Sequence, residues 1–202
     1  MNSGSAGSSS RRFLVRCVIP LVLIVLVGLI VLTHSRMEKR VVPALPERAR
    51  SELQLRDERL FEGDRPFTGI VIERYSDGVL KSRSTVSNGL LEGLSEGWHT
   101  NGVLQVSEHF VHGVSDGLRT KFYPDGKKLS EASILNGEID GIYNRWYENG
   151  QLAERVHLSH GVADGESLAF HPDGSLKARV RLDHGQVVEQ HFWEPGEMAA
   201  PR

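Results

Sequence analysis

The chain is almost free of cysteine, since Cys17 is the only one among its 202 residues and lies inside an apolar run. An intramolecular disulfide and a cysteine-ligated zinc site are therefore excluded. Aromatic residues make up only 7% of the chain, and no Asn-x-Ser/Thr glycosylation acceptor occurs. The formal net charge is −2, so the chain lacks the basic excess of proteins whose main partner is nucleic acid.

Residues 1–40 differ in charge from the rest of the chain. They hold six basic residues and one acidic residue, which leaves 18 basic and 25 acidic residues, a net charge of −7, beyond residue 40. Within this basic segment, Cys17–Thr33 contains no charged residue. Counted from Phe13, the run would be about 31 Å long as a helix, close to the ~30 Å hydrocarbon core of a bilayer. The sequence therefore predicts a transmembrane helix over 13–33, in contact with lipid, after a disordered tail over 1–12.

Two other interpretations of the apolar run stay open, namely a cleaved secretory signal and a buried helix of a soluble domain. The run is longer than the 7–15 apolar residues of a signal, and the sequence after it, Thr33-His34-Ser35-Arg36, is a poor cleavage site. Basic residues flank both ends, so the positive-inside rule barely discriminates. The run looks like a signal-anchor, which favours a single-pass protein whose body lies outside the cytosol.

Residues 34–59 are rich in Arg, Glu and Pro, and we interpret them as a tether. Within this stretch a lead-in strand over Leu53 to Phe61 competes with a short helix over Pro46–Leu55. The last residues, 197–202, are predicted to form a tail.

The body of the chain, residues 60–196, is built on a 24-residue repeat. Five units align without an insertion or deletion, at 70–93, 94–117, 118–141, 142–165 and 166–189. Positions 9 and 20 are Gly in all five units, and position 8 is always Asp or Asn. The glycines at position 9 are Gly78, Gly102, Gly126, Gly150 and Gly174. A fixed period of this size indicates a stacked architecture.

Each unit is predicted to form a β-hairpin. An Asp/Asn-Gly pair between runs of alternating polarity favours a three-residue loop at positions 7–9, with a type I turn followed by Gly in the left-handed conformation. We therefore predict an all-β fold, an elongated antiparallel sheet of stacked hairpin repeats, preceded by one N-terminal transmembrane helix. In this register position 5 faces position 11, which pairs Trp98 with Leu104, Trp146 with Leu152, and Phe170 with Leu176.

Strand alternation assigns the positions of each unit to two faces. Position 17 is apolar in every unit and is predicted by parity to share a face with position 5. We interpret the aromatic residues at position 5 as an apolar spine, formed by Trp98, Phe122, Trp146 and Phe170. Position 6 is predicted to lie on a polar, wet face, where large rings offer contact area at low entropic cost. This candidate binding surface consists of Tyr75, His99, Tyr123, Tyr147 and His171.

No metal ion or cofactor is predicted. His109-x-x-His112 recurs as His157-x-x-His160, but residues three apart on a strand point to opposite faces, which hinders joint chelation. The Asp-Gly pairs at positions 23 and 24 match neither the EF-hand loop nor the glycine-rich calcium ladder, and turn chemistry explains them better.

No catalytic site is predicted either. The chain has no phosphate-cradling loop and no His-Glu-x-x-His, and its body has no cysteine nucleophile. An open sheet also lacks a dry cleft that would perturb carboxylates. We therefore expect a protein that is not an enzyme.

The units resemble MORN repeats, and more closely their bacterial variant. The resemblance rests on Tyr/Trp-x-x-Asn/Asp-Gly-x-Leu followed by Gly-x-x-Asp-Gly, as in Trp146–Leu152 and Gly161–Gly165. It implies an elongated hairpin array and, for many bacterial members, an antitoxin-like component of a toxin–antitoxin pair. Three departures are Arg74 at the aromatic position of unit one, Lys128 at the Leu position of unit three, and Val188-Glu189 in place of the last Asp-Gly.

The sequence as a whole favours a membrane-anchored, non-enzymatic repeat scaffold that binds another protein, with a toxin as the partner that the resemblance implies. A structural spacer or envelope-surface repeat protein without a dedicated ligand is the alternative. Binding of lipid by the array itself is disfavoured by its net charge of −7 beyond residue 40.

Overall fold

The computed structural model describes residues 44–197, which form an almost entirely β structure. The predicted transmembrane helix over 13–33, the tail over 1–12, the first part of the tether and residues 198–202 lie outside the described residues. Within 44–197, no helix is long and apolar enough to cross a membrane.

The described chain contains short lead-in strands followed by a long series of hairpins. The strands are β1 Glu47–Ala49, β2 Gln54–Arg56, β3 Arg59–Glu62, β4 Arg65–Pro66, β5 Gly69–Arg74, β6 Leu80–Ser87, β7 Leu90–Trp98, β8 Leu104–Val111, β9 Val114–Ser115, β10 Gly117–Phe122, β11 Lys128–Leu135, β12 Glu138–Trp146, β13 Leu152–Ser159, β14 Val162–Phe170, β15 Leu176–Asp183 and β16 Gln186–Phe192. A single turn of 3-10 helix, Arg50–Glu52, follows β1.

Two sheets result. The large sheet has the order β1-β5-β6-β7-β8-β10-β11-β12-β13-β14-β15-β16, with β9 paired to β8, and the small one has the order β2-β3-β4. Strand β1 runs parallel to β5, and the hairpin strands pair antiparallel. The predicted large antiparallel sheet of hairpin repeats is therefore confirmed.

The first turn of each unit is the predicted three-residue loop. In unit one the Gly78 N–H donates to the Tyr75 carbonyl at 2.9 Å, and Gly78 has a φ of +88°. The Tyr75 N–H reaches the Val79 carbonyl at 2.9 Å, so position 6 faces position 10. As predicted, Trp98 pairs with Leu104, Trp146 with Leu152, and Phe170 with Leu176.

The second turn of each unit is a tight two-residue hairpin that the sequence interpretation did not identify. Asn88 and Gly89, at positions 19 and 20, both have positive φ, +49° and +82°, as a type I′ turn requires. In three units a histidine holds the left-handed position 19, with φ near +50°: His112, His160 and His184. The dipeptides Asn88-Gly89 and Asn136-Gly137 carried the signal, because Asn-Gly is the preferred pair for this turn.

Position 17 lies on the opposite face from the apolar spine, which corrects the parity prediction. In unit four Arg145 pairs with Glu154, but the next pair is Trp146 with Leu152, so the second strand carries one extra residue. This bulge shifts the alternation by one. Leu158 therefore lies on the side of Arg145 and away from Trp146. Both faces of the sheet carry an apolar column, and neither is wholly polar.

Residues 44–68 form an N-terminal cap on the first unit. Leu53 and Phe67 are buried against Val71 and Val86, and Val86 is only 1% exposed. Within residues 44–59, β1 pairs with β5 and Leu53 is buried, so this part of the expected tether is attached to the sheet. The competing helix over Pro46–Leu55 is reduced to one 3-10 turn.

The cap fits closely on the sheet at Gly69. A Cβ at this position would lie 2.3 Å from the Pro46 carbonyl oxygen and 2.6 Å from Cζ of Phe67. Only glycine leaves room for this approach.

The last strand is shifted by one residue relative to the other units. Position 13 pairs with position 4 of the next unit at Ser130–Arg145, but Ala178 pairs with Phe192, which is position 3. Earlier units carry a wide bulge around a positive-φ glycine at position 24, whereas Glu189 stands there at the end. The bulge shrinks to Val188 alone, and Trp193 takes the structural place of a position-5 aromatic.

Candidate functional site

The residues at position 6 form a ladder of hydrogen bonds between units, which we call the position-6 ladder. Each side chain reaches the carbonyl oxygen of the position-5 aromatic in the following unit. The bonds are Tyr75 Oη to Trp98 O at 2.7 Å, His99 Nε2 to Phe122 O at 2.9 Å, Tyr123 Oη to Trp146 O at 2.8 Å, Tyr147 Oη to Phe170 O at 2.9 Å, and His171 Nε2 to Trp193 O at 3.0 Å. The last bond confirms that Trp193 has replaced the regular position-5 residue.

This ladder gives the sequence-predicted binding surface a second role. The five side chains are half-buried, and their polar atoms are occupied by the neighbouring unit. A hydrogen bond of this kind contributes about 0.5–1.5 kcal/mol net. The side chains that were expected to face a partner therefore join consecutive hairpins at their loop ends.

The side chains at position 8 add hydrogen bonds between units at the same loop ends of the hairpins. The Asn101 side chain accepts the Val103 N–H at 3.1 Å and donates to the Pro124 carbonyl at 2.7 Å, so one amide closes its own turn and contacts the next. Asp125 closes its turn but lacks the second donor, which Lys127 supplies by donating to the Glu148 carbonyl at 2.7 Å. Hydrogen bonding to Lys127 lowers the pKa of Asp125 below its ordinary value.

The carboxylates at position 23 join consecutive units at the opposite ends of the strands, where the type I′ turns lie. Each accepts the backbone N–H of position 19 in the next unit, where the type I′ turn begins. The bonds are His112 N to Glu92 at 2.8 Å, Asn136 N to Asp116 at 3.2 Å, His160 N to Asp140 at 3.1 Å and His184 N to Asp164 at 3.4 Å. The Asp-Gly series thus supports the turn of the neighbouring hairpin, which is the turn chemistry expected of it.

The histidine pairs are not arranged as metal ligands. The Nδ1 atoms of His109 and His157 lie 3.2 and 2.7 Å from the Asp116 and Asp164 carbonyl oxygens, while His112 and His160 sit in the turns. The structure therefore assigns the two members of each pair to different local partners.

One group at the last turn does bring three potential ligand atoms within 4.8 Å, those of Asp164, Asp183 and His184. Both carboxylates already accept hydrogen bonds from His184, at its backbone N–H and at Nδ1. The hydrogen bond that His184 donates to Asp183, helped by the charge of Asp164, raises the pKa of His184 above its ordinary value. These hydrogen bonds within the turn explain why the three side chains lie close together.

An exposed apolar surface lies on the face of the apolar spine, towards the type I′ turns. Position 1 contributes side chains that are 48–55% exposed, and neighbouring positions 18 and 21 extend the surface over three units. Pairings such as Leu94–His109 and Val111–Val114 place all of them on one face. We call this set the aliphatic patch, and it consists of Leu94, Val111, Val114, Leu118, Leu135, Ile142 and Val162.

A groove of about 480 Å³ opens between the N-terminal cap and the other face of the first units. Its apolar wall includes Leu55, Leu60 and Leu91, and Arg50 and Glu73 are among its polar lining groups. Its size is in the range of small-molecule sites. It lies at one end of the array and shares Val114 with the aliphatic patch.

Three of the repeat units match a known family of repeats. Residues 91–112, 115–136 and 139–160 match a family model described as the MORN repeat variant. No curated protein sequence matches the chain. The three matches are spaced by 24 residues and run from one type I′ turn to the next, which is the structural unit seen in the sheet. Three consecutive hairpins are thus MORN-like.

Proposed function

We propose that this protein is a non-enzymatic repeat scaffold that binds another protein through the aliphatic patch, and that the apolar segment over 13–33 anchors it in a membrane. The observation that carries the binding proposal is the recurrence of exposed aliphatic side chains on one face over three consecutive units. Monomeric proteins rarely expose large contiguous apolar surfaces, and those that do generally use them for contacts.

The form of the array supports a binding role. Units joined on both edges by inter-unit hydrogen bonds present their side chains on a pre-ordered surface, which lowers the entropic cost of association. Similarity to a repeat family that generally lacks enzymatic activity agrees with this role. The proposal does not require the partner to be a toxin, and a spacer without a ligand remains its competitor.

Site-specific photo-crosslinking in native membranes tests the proposal. A photoreactive residue is placed at Leu118, with Lys121 as the matched control, because Lys121 is exposed on the same strand but points to the opposite face. We expect one discrete crosslinked product from Leu118 and none from Lys121, and we expect Ile142→Lys to remove that product.

Three outcomes would contradict the proposal. Equal labelling from both faces would indicate random encounter, and the lack of any product from Leu118 would favour the spacer. A product of twice the mass of the chain would show that the patch contacts a second copy rather than a different protein.

A further inference from the structure

The two ends of the large sheet are protected differently. At one end β5 is covered by β1 and the N-terminal cap. At the other end, no strand within residues 44–197 pairs with the outer edge of β16. All seven residues of β16 are exposed, and Val187, Val188 and Phe192 are 55%, 51% and 67% exposed.

Strand β16 also lacks the residues that usually protect an edge. Its sequence, Gln186–Phe192, contains no lysine and no proline, and Glu189 is its only acidic residue. A long, exposed edge strand with apolar side chains is a template for pairing with another strand.

The sequence of β16 is complementary to itself when it is reversed about Gln190. On one side of Gln190 stand Glu189 and then Val188, and on the other stand His191 and then Phe192. Two identical strands paired antiparallel about this residue would place each carboxylate opposite an imidazole, and each Phe192 near the bulged Val188 of the other copy. Pairs of these kinds stabilise antiparallel strands, whereas like charges directly opposite destabilise them.

The backbone of β16 is suited to the same register. The Trp193 N–H donates inward to the Lys177 carbonyl at 2.9 Å. Because these groups alternate along a strand, the N–H and C=O of Gln190 and Phe192 point to the free edge. Gln190 can then exchange both hydrogen bonds with the Gln190 of another copy across a two-fold axis.

We propose that a second copy of this chain pairs with β16, antiparallel and centred on Gln190, so that the two sheets continue through a two-fold axis. Such an interface is closed, because the same strand is used on both sides. The charges select the register, since centring the pair on Glu189 would place two carboxylates against each other. The proposal concerns the end of the array and goes beyond the proposed function of the aliphatic patch.

Disulfide trapping of the full chain in native membranes tests the register residue by residue. In a Cys17→Ser background, Gln190→Cys is expected to give a disulfide-linked dimer under mild oxidation, because residue 190 faces itself. The matched control, Gln105→Cys, is equally a glutamine in an exposed strand position, and we expect it to stay monomeric.

The neighbouring positions supply a sharper test. Glu189→Cys and His191→Cys should each fail to crosslink alone, because their Cα atoms would lie about 8 Å from their own counterparts, beyond the reach of a disulfide. Co-expression of the two variants should restore the crosslink, since residue 189 of one copy faces residue 191 of the other.

Two results would overturn the proposal. One is a Gln190→Cys chain that oxidises no more readily than the Gln105→Cys control, and the other is equal crosslinking by all of the cysteine variants. Phe192→Lys should also abolish the Gln190→Cys dimer while leaving the Leu118 photo-crosslink intact. Failure of the edge pairing is therefore distinguishable from failure of the aliphatic patch.

Discussion

At the scale of single residues, two side-chain types perform one task in the position-6 ladder. Tyr123 and Tyr147 use a phenolic hydroxyl, while His99 and His171 use Nε2, and all of them reach a backbone carbonyl of the next unit at 2.8–3.0 Å. Both side chains carry a polar atom at the far end of a flat ring. Either tyrosine or histidine can occupy this position because it requires a side chain of this length with a polar atom at its end, rather than a charge.

Removal of one hydroxyl should weaken the array measurably. We expect Tyr147→Phe to lower the free energy of unfolding by about 1 kcal/mol, because the Phe170 carbonyl loses its donor. Urea titration followed by circular dichroism measures the change. Tyr143→Phe is the matched control, since the Tyr143 hydroxyl makes no hydrogen bond among the described residues. Equal losses in both variants would contradict the role of the ladder.

The imidazole of His184, in the last type I′ turn, should titrate with a raised pKa. The hydrogen bond that the ring donates to Asp183 raises the pKa of His184 above 6.5, so the protonated ring favours the folded state. The stability that it contributes is present below pH 6.5 and is lost as the pH rises through the folded-state pKa. NMR titration should give a higher midpoint for His184 than for the same ring in Asp183→Asn. Identical midpoints would show that the carboxylate has no influence.

The sequence predicted some residue roles and missed others for a physical reason. The pairs Trp98–Leu104 and Phe170–Leu176 follow from loop length, which is a local property. The ladder links residues 22 or 23 positions apart in different hairpins. Strand alternation places Tyr123 on a face, but it does not say what the next unit brings there.

At the scale of the element, bulges decide which face a column occupies. Alternation alone predicts that Trp146 and Leu158 share a face, and the extra residue between Glu154 and Leu152 reverses that result. Bulges have weak sequence signals, because they depend on how two strands are paired rather than on either strand by itself. The type I′ turn, in contrast, was visible in Asn88-Gly89.

The register of the last strand should respond to two substitutions. Val188→Asp with Glu189→Gly restores the residues of the earlier units, and we expect the wide bulge to form. Ala178 should then pair with Trp193 in place of Phe192. Cross-strand NOEs from Ala178 measure the change, and the single Val188→Asp variant is the control. An unchanged Ala178–Phe192 contact in the double variant would show that glycine does not set the register.

At the scale of the whole molecule, stability is carried by contacts between neighbouring units. The position-23 carboxylates and the position-6 ladder join each hairpin to the next, as expected for a quasi-one-dimensional repeat protein. The ends are exceptions, because the cap covers one and the other finishes at the shifted, uncovered strand β16. A lead-in strand over Leu53 to Phe61 was one interpretation, but the packing of Leu53 and Phe67 on the first unit was not predicted. Both are isolated apolar residues in a polar, proline-containing stretch.

Deletion of one complete unit should preserve the fold. Removal of residues 118–141 joins two units in register, and we expect an unchanged strand signature in far-ultraviolet circular dichroism with a reduced free energy of unfolding. Removal of residues 118–129 takes half a hairpin and should abolish cooperative unfolding. If both deletions behaved alike, the 24-residue unit would not be the folding module.

The position-6 ladder has a consequence for the origin of such chains. Its rings bind a peptide carbonyl, a group that every residue carries. Each of these hydrogen bonds can therefore form whatever side chain the carbonyl-bearing residue has. A duplicated or transplanted hairpin would find its attachment point ready-made on any predecessor. The array can therefore lengthen by duplication of units. Its surface residues can then change, and with them its binding specificity, without loss of the hydrogen bonds that hold the units together.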